Sequence, residues 1–164
     1  MAKLIPSFEI NHDLLKPWLY VSIQRQPRKQ YPEVILTTFD LRFKTPNKER
    51  LSIESSHTIE HLGATYLRTC LPEDSQWKDK LTYFGPMWCL TGMYAEFAGQ
   101  YTSKEILPLI RDMLTYIIEF EGEVPGTSSS KECGTYKLHN LAEAKKDAKA
   151  YLEALENPIL DYPA

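Results

Sequence analysis

Residues 55–70 read SSHTIEHLGATYLRTC. Ile59, Leu62, Gly63, Tyr66, Leu67 and Cys70 recur at helical spacing and predict a helix with one buried stripe. Leu71-Pro72 ends it, because proline cannot continue the ladder. At about 100° per residue, His57, Glu60 and His61 share one arc, almost opposite that stripe. Ala64 and Arg68 continue the second face. Such a helix packs one side on a sheet and presents three polar groups on the other. That polar face is either solvated or a clamp for a cation. Two imidazoles one turn apart can hold one divalent ion, and Glu60 beside them could move protons near it. The order His-x-x-Glu-His also occurs in inverted zinc peptidases.

The segments around this helix complete the fold class. Residues 17–25 (PWLYVSIQR) and 33–43 (EVILTTFDLRF) are rich in β-branched and aromatic side chains and predict two neighbouring antiparallel strands. Pro27 to Pro32 makes the loop between them, and Thr45-Pro46-Asn47-Lys48 closes the second. Residues 80–84 and 89–98 predict strands flanking Gly85-Pro86. Thr102 and Glu105 form a capping box for a helix reaching about Phe120. Pro108 predicts a late start or a kink in it. Residues 122–132 are a polar loop, and Asn140 with Glu143 caps a last helix near 141–155. Strands, helix, strands, helix, helix is the order of an α+β domain with an antiparallel sheet.

The chain has 164 residues, which predicts a single domain spanning 1–164. A net charge of −3 without a long basic run excludes nucleic acid and anionic membranes as electrostatic partners. The N-terminal stretch carries Glu9, His12 and Asp13 and lacks a secretory h-region, so the expected location is the cytoplasm. Three widely spaced cysteines make a poor disulfide framework and fair candidates for ligand or catalytic roles. A tetrahedral metal site needs a third ligand beyond His57 and His61. Cys133, in Glu-Cys-Gly-Thr, lies outside any apolar period and is the best candidate; Gly134 after it would permit an unusual backbone. Cys70 sits in the helical stripe and reads as packing. Cys89 enters a strand after a turn; it is a buried structural thiol or, near a metal, an acid/base.

Several pieces in fixed order resemble the S-ribosylhomocysteine lyases (LuxS, the autoinducer-2 synthases). They are Ser7-Phe8 with His12, Phe39-Asp40-Leu41-Arg42-Phe43 before Pro46-Asn47-Lys48, His57 to Leu62, Gly85-Pro86-Met87 with Cys89, Thr91-Gly92 with Tyr94, and Cys133-Gly134 before Leu138-His139. The resemblance covers nearly the whole chain. It implies an α+β sandwich and cleavage of S-ribosylhomocysteine to homocysteine and 4,5-dihydroxy-2,3-pentanedione. It implies a divalent metal on His57, His61 and Cys133, Fe(II) in the cell with Zn or Co possible. Glu60 and Cys89 become the acid/base pair. Ser7, His12 and Arg42 become substrate contacts, largely from the partner chain of a homodimer with sites at the interface.

Three positions depart from the family pattern. Trp88 stands where glycine is common, Leu90 where arginine or glutamine is common, and Tyr83 where some members have aspartate. The indole of Trp88 is expected to narrow the pocket or to change the backbone path. The alternative function is therefore a catalytically impaired metal-binding or signalling domain of the same fold. An inverted zinc peptidase fits less well, since those chains are much longer and take a distant glutamate as third ligand. Peptide deformylase carries the reverse motif, His-Glu-x-x-His.

Overall fold

A computed structural model describes residues 6–157 and Tyr162. A short helix α1 (Pro6–Glu9) precedes strands β1 (Trp18–Arg25) and β2 (Leu36–Arg42). Helix α2 (Ile53–Thr65), strands β3 (Leu81–Pro86) and β4 (Gly92–Ala98), and helices α3 (Ser103–Glu119) and α4 (Leu141–Ala154) follow. The strands form one antiparallel sheet in the order β1-β2-β4-β3. This is the expected α+β class. Both strand pairs are in the expected places, but β2 starts at Leu36 and β4 only at Gly92, because residues 87–90 form a tight turn.

The pleat separates two kinds of side chain. Phe39 pairs with Ala95 and Leu41 with Met93, and all four are fully buried on one face together with Phe97. Ile59 and Leu62 of α2, Ile110 and Leu114 of α3, and Ala148 and Tyr151 of α4 belong to the same core, each 0% exposed. Burying each leucine or isoleucine among them contributes about 1.5–3 kcal/mol. Asp40, paired with Tyr20 and Tyr94, stands on the opposite face.

Helix α3 begins on the Thr102–Glu105 capping box and runs without a break past Pro108. The proline frees only one carbonyl, that of Lys104 one turn earlier, and both residues are exposed, so water can take it. The expected late start is not seen. Helix α2 differs more. The segment that continues it, Tyr66–Cys70, winds as a π-helix. The wider turn breaks the 3.6-residue period, so Cys70 leaves the stripe that predicted it buried and is exposed.

Gly92 opens β4 opposite Arg42. A Cβ there would lie 2.1 Å from the Leu41 carbonyl oxygen, a backbone atom that cannot swing aside. Gly92→Ala is therefore expected to cost at least about 1–3 kcal/mol, read as a lowered urea midpoint; an unchanged midpoint contradicts the pairing described. Among the described residues no helix is long and apolar enough to cross a membrane.

Candidate active site

The polar face of α2 is half-buried rather than fully solvated. It meets the chain between Val124 and Asn140. Ser52 caps α2 by accepting from Ser55 N–H, and its hydroxyl donates to Glu143 at 2.7 Å. Ser55 donates to Asp147 at 2.6 Å, and Asp147 also pairs with Lys44. These contacts hold α2 against α4. Asn140, the cap of α4, donates its N–H to Thr58 Oγ1 at 3.0 Å. Leu138 and His139 are thereby laid across the first turns of α2.

His57 Nδ1–H donates to the Leu138 carbonyl at 2.9 Å, and His61 Nδ1–H to the Pro125 carbonyl at 2.7 Å. A carbonyl can only accept, so each ring keeps its Nε2 lone pair free. Gly126, next to Pro125, has φ +79°, and a Cβ there would stand 3.2 Å from the His61 ring. The loop thus needs glycine at that point to reach the imidazole. Cys133 Sγ lies 3.4 Å from His57 Nε2 and accepts the Thr135 N–H at 3.4 Å. Gly134, by contrast, is outside the left-handed region, and its Cβ position is open. The unusual backbone expected there is not used.

His139 is the residue that sequence reasoning left without a role. Its ring stacks on His57 with centroids 4.0 Å apart. A threonine hydroxyl has one proton, and Thr58 spends it on the Glu54 carbonyl at 2.8 Å. His139 Nδ1, 3.2 Å from Thr58 Oγ1, must therefore be the donor. Its Nε2 keeps a lone pair and is buried without a partner. Burial, with His57 and His61 beside it, pushes this imidazole down to about 4, so it stays neutral at ordinary pH. One ligand atom from each of His57, His61, Cys133 and His139 lies within 4.8 Å of the others. Imidazole lone pairs and a sulfur on four half-buried residues, one of the nitrogens buried and unsatisfied, fit a borderline divalent ion. Position in a leading Leu-His before a helix cap was the only signal for His139 in the sequence. Glu60, one residue before His61, is half-buried on the same helix.

Cys89 lies elsewhere. It is on the turn Met87 to Leu90, closed by Leu90 N–H to the Met87 carbonyl at 2.9 Å. Leu90 has φ +57°, a conformation that costs a branched side chain energy. The surrounding bonds impose it: Leu51 N–H to Leu90 O at 2.7 Å and Met87 N–H to Gly92 O at 2.9 Å. Cys89 is exposed rather than a buried structural thiol. It opens into a cleft of about 710 Å³ lined also by Phe8, His12, Arg42, Thr91 and Tyr94. His12 Nδ1–H donates to the Ile10 carbonyl at 2.8 Å. Arg42 is 3% exposed, and Asp40 takes its Nε and Nη2 protons at 3.1 and 2.5 Å. Burial works against the guanidinium charge, but the Asp40 carboxylate outweighs it and raises the Arg42 pKa. The Ser7 side chain lies outside the described residues.

Within one chain the expected acid/base partners are not brought together. The residues lining the cleft do not include Glu60, His57, His61 or Cys133, and Cys89 is not in the four-donor cluster. Trp88 is 98% exposed and is not among the residues lining this cleft. Tyr83 is half-exposed on β3.

An antiparallel α+β fold carrying a His-x-x-Glu-His helix, with a cysteine folded back onto it, defines a class of metal-binding proteins. The S-ribosylhomocysteinase (LuxS) family model matches residues 5–159. The chain is 48% identical to an S-ribosylhomocysteine lyase of Porphyromonas gingivalis over 97% of its own length and 98% of that protein's. It is 43% identical to one of Desulfotalea psychrophila, with 98% of each chain covered. It is 42% identical to one of Clostridium acetobutylicum, over 97% and 98%. The chain belongs to the S-ribosylhomocysteinase (LuxS) family.

Proposed function

We propose that this protein is a metal-dependent S-ribosylhomocysteine lyase, a single domain that yields homocysteine and 4,5-dihydroxy-2,3-pentanedione. The observation that carries the reading is the four-donor cluster on the His-x-x-Glu-His helix, in a chain 48% identical to a protein of that name. His57, His61 and Cys133 hold the metal, and His139 braces the His57 ring by stacking on it. Fe(II) is the proposed ion in the cell, with Zn or Co able to replace it, since this donor set suits all three. A divalent ion bound there supplies Lewis acidity, which makes a C–H beside a sugar carbonyl more acidic.

The protein's own groups move the protons. Cys89 and Glu60 take a proton from one carbon and return one to its neighbour, which carries the carbonyl from C1 to C2 and then to C3. With the carbonyl at C3, the C4 proton is acidic and the sulfur on C5 is a β leaving group. Glu60 removes that proton and the homocysteine thiolate departs. Ser7, His12 and Arg42 orient the sugar; Arg42 does so from a fork already pinned by Asp40. No electron changes hands.

Cys89 and the metal cluster stand apart in one chain, yet this chemistry needs both at one sugar. The proposed enzyme is therefore a homodimer in the cytoplasm, with each site built from the cluster of one copy and the Cys89 cleft of the other. The Phe8 and Trp88 side chains, 66% and 98% exposed near that cleft, suit burial in such an interface. Free-thiol release from S-ribosylhomocysteine by the metal-loaded protein tests the reading. Release at enzymatic rates is the expected result. Full metal content without release would leave the impaired binding domain as the function.

A further inference from the structure

We propose that Thr91 is a positioning residue that turns its hydroxyl proton onto Cys89 and so sets the orientation and reactivity of that sulfur. The inference rests on the reading of Cys89 as an acid/base. Thr91 is 5% exposed, on the residue between the Cys89 turn and β4. Arg42 Nη1 lies 2.6 Å from its Oγ1. A guanidinium has no acceptor, so Arg42 donates and Thr91 accepts. The single hydroxyl proton of Thr91 must then find another acceptor, as buried hydroxyls do. Among the described residues the only other hydrogen-bond partner of Oγ1 is Cys89 Sγ, 3.0 Å away. That sulfur therefore accepts, and a thiolate accepts far better than a thiol.

The rest of the network keeps the direction from reversing. Asp40, 1% exposed, takes two protons of Arg42 and fixes the plane of its fork. Tyr162 adds a third anchor by donating to Asp40 Oδ2 at 2.9 Å. The threonine's backbone is held as well, its carbonyl accepting Lys44 N–H at 3.0 Å. A serine would make the same hydrogen bonds; a valine has the same shape and makes none. The arrangement delivers the influence of the buried Arg42 to the sulfur through one oriented hydroxyl.

The test is the rate at which iodoacetamide alkylates Cys89 in the metal-loaded full chain at about pH 6, where protonation limits thiolate. Peptide-resolved mass spectrometry separates Cys89 from Cys70 and Cys133. Thr91→Val is expected to slow alkylation of Cys89 about tenfold or more, the effect of losing a hydrogen bond to a charged group. Thr91→Ser is expected to stay within about twofold of the parent, since it keeps the donor. A valine variant as fast as the parent, or a serine variant as slow as valine, overturns the proposal. If Thr91→Val does not fold, Thr91→Ala takes its place with the same two outcomes. Alkylation needs no turnover, so this result stands apart from whether Cys89→Ala abolishes lyase activity.

Discussion

Cys133→Ala is expected to emerge from purification nearly free of metal. Cys133 Sγ lies 3.4 Å from His57 Nε2 and supplies the cluster's single sulfur. Its removal leaves a borderline ion with nitrogen donors alone. Loss of a ligand costs more than loss of an outer hydrogen-bond partner, which already weakens metal binding about 10–100-fold. The expected drop in affinity is thus at least about 100-fold, read by elemental analysis after dialysis against a weak chelator. His61→Ala should behave alike, because the Pro125 carbonyl aims its Nε2 inward. Stoichiometric metal in the dialysed Cys133→Ala protein would refute the ligand assignment. Fold and metal are separable here. The core residues Ile59 and Leu62 lie on the other side of α2, so the metal-free variant should keep its far-ultraviolet circular dichroism.

Cys89→Ala and Glu60→Ala should show the reverse: full metal and almost no turnover. Neither residue belongs to the four-donor cluster. A positioned proton-transfer group contributes about 10²–10⁴-fold to rate, so thiol release should fall by that factor at unchanged metal content. The dimer reading adds a sharper result. Mixing Cys89→Ala chains with His61→Ala chains, each nearly inactive alone, should restore activity. In a mixed dimer the intact cluster of one chain faces the intact Cys89 of the other, while the second site has neither. Random exchange at equal amounts then returns about a quarter of the parent activity, for one good site in half of the dimers. No recovery after demonstrated exchange would place the whole site in one chain.

Much of the scaffold could be read locally. The apolar period of Ile59, Leu62 and Tyr66 marks α2, and the polar arc of His57, Glu60 and His61 follows from the same geometry. β-branched runs mark β1 and β2, and the Thr102–Glu105 capping box marks the start of α3. All of these rest on residues a few positions apart, whose relation is set by backbone geometry. Cys70 shows the limit of such reasoning. A single π-turn, invisible in composition, rotates it out of its period and into solvent. Leu90 is similar, since its left-handed backbone is imposed by bonds to Leu51 and by the turn closure at Met87.

What the sequence determined by itself is therefore the α+β class, the metal helix and its inward face, and through resemblance the kind of chemistry. The tertiary structure alone decided that His139 joins the cluster, that its Nε2 carries the lone pair, and that Cys133 folds onto His57 from 76 residues away. It also decided that Cys89 stands with Arg42 and Thr91 rather than with Glu60. The physical reason is the same in each case. Periodicity records which face of an element is buried, whereas the partner of a polar atom depends on where distant segments pack and on how each donor's few protons are already spent.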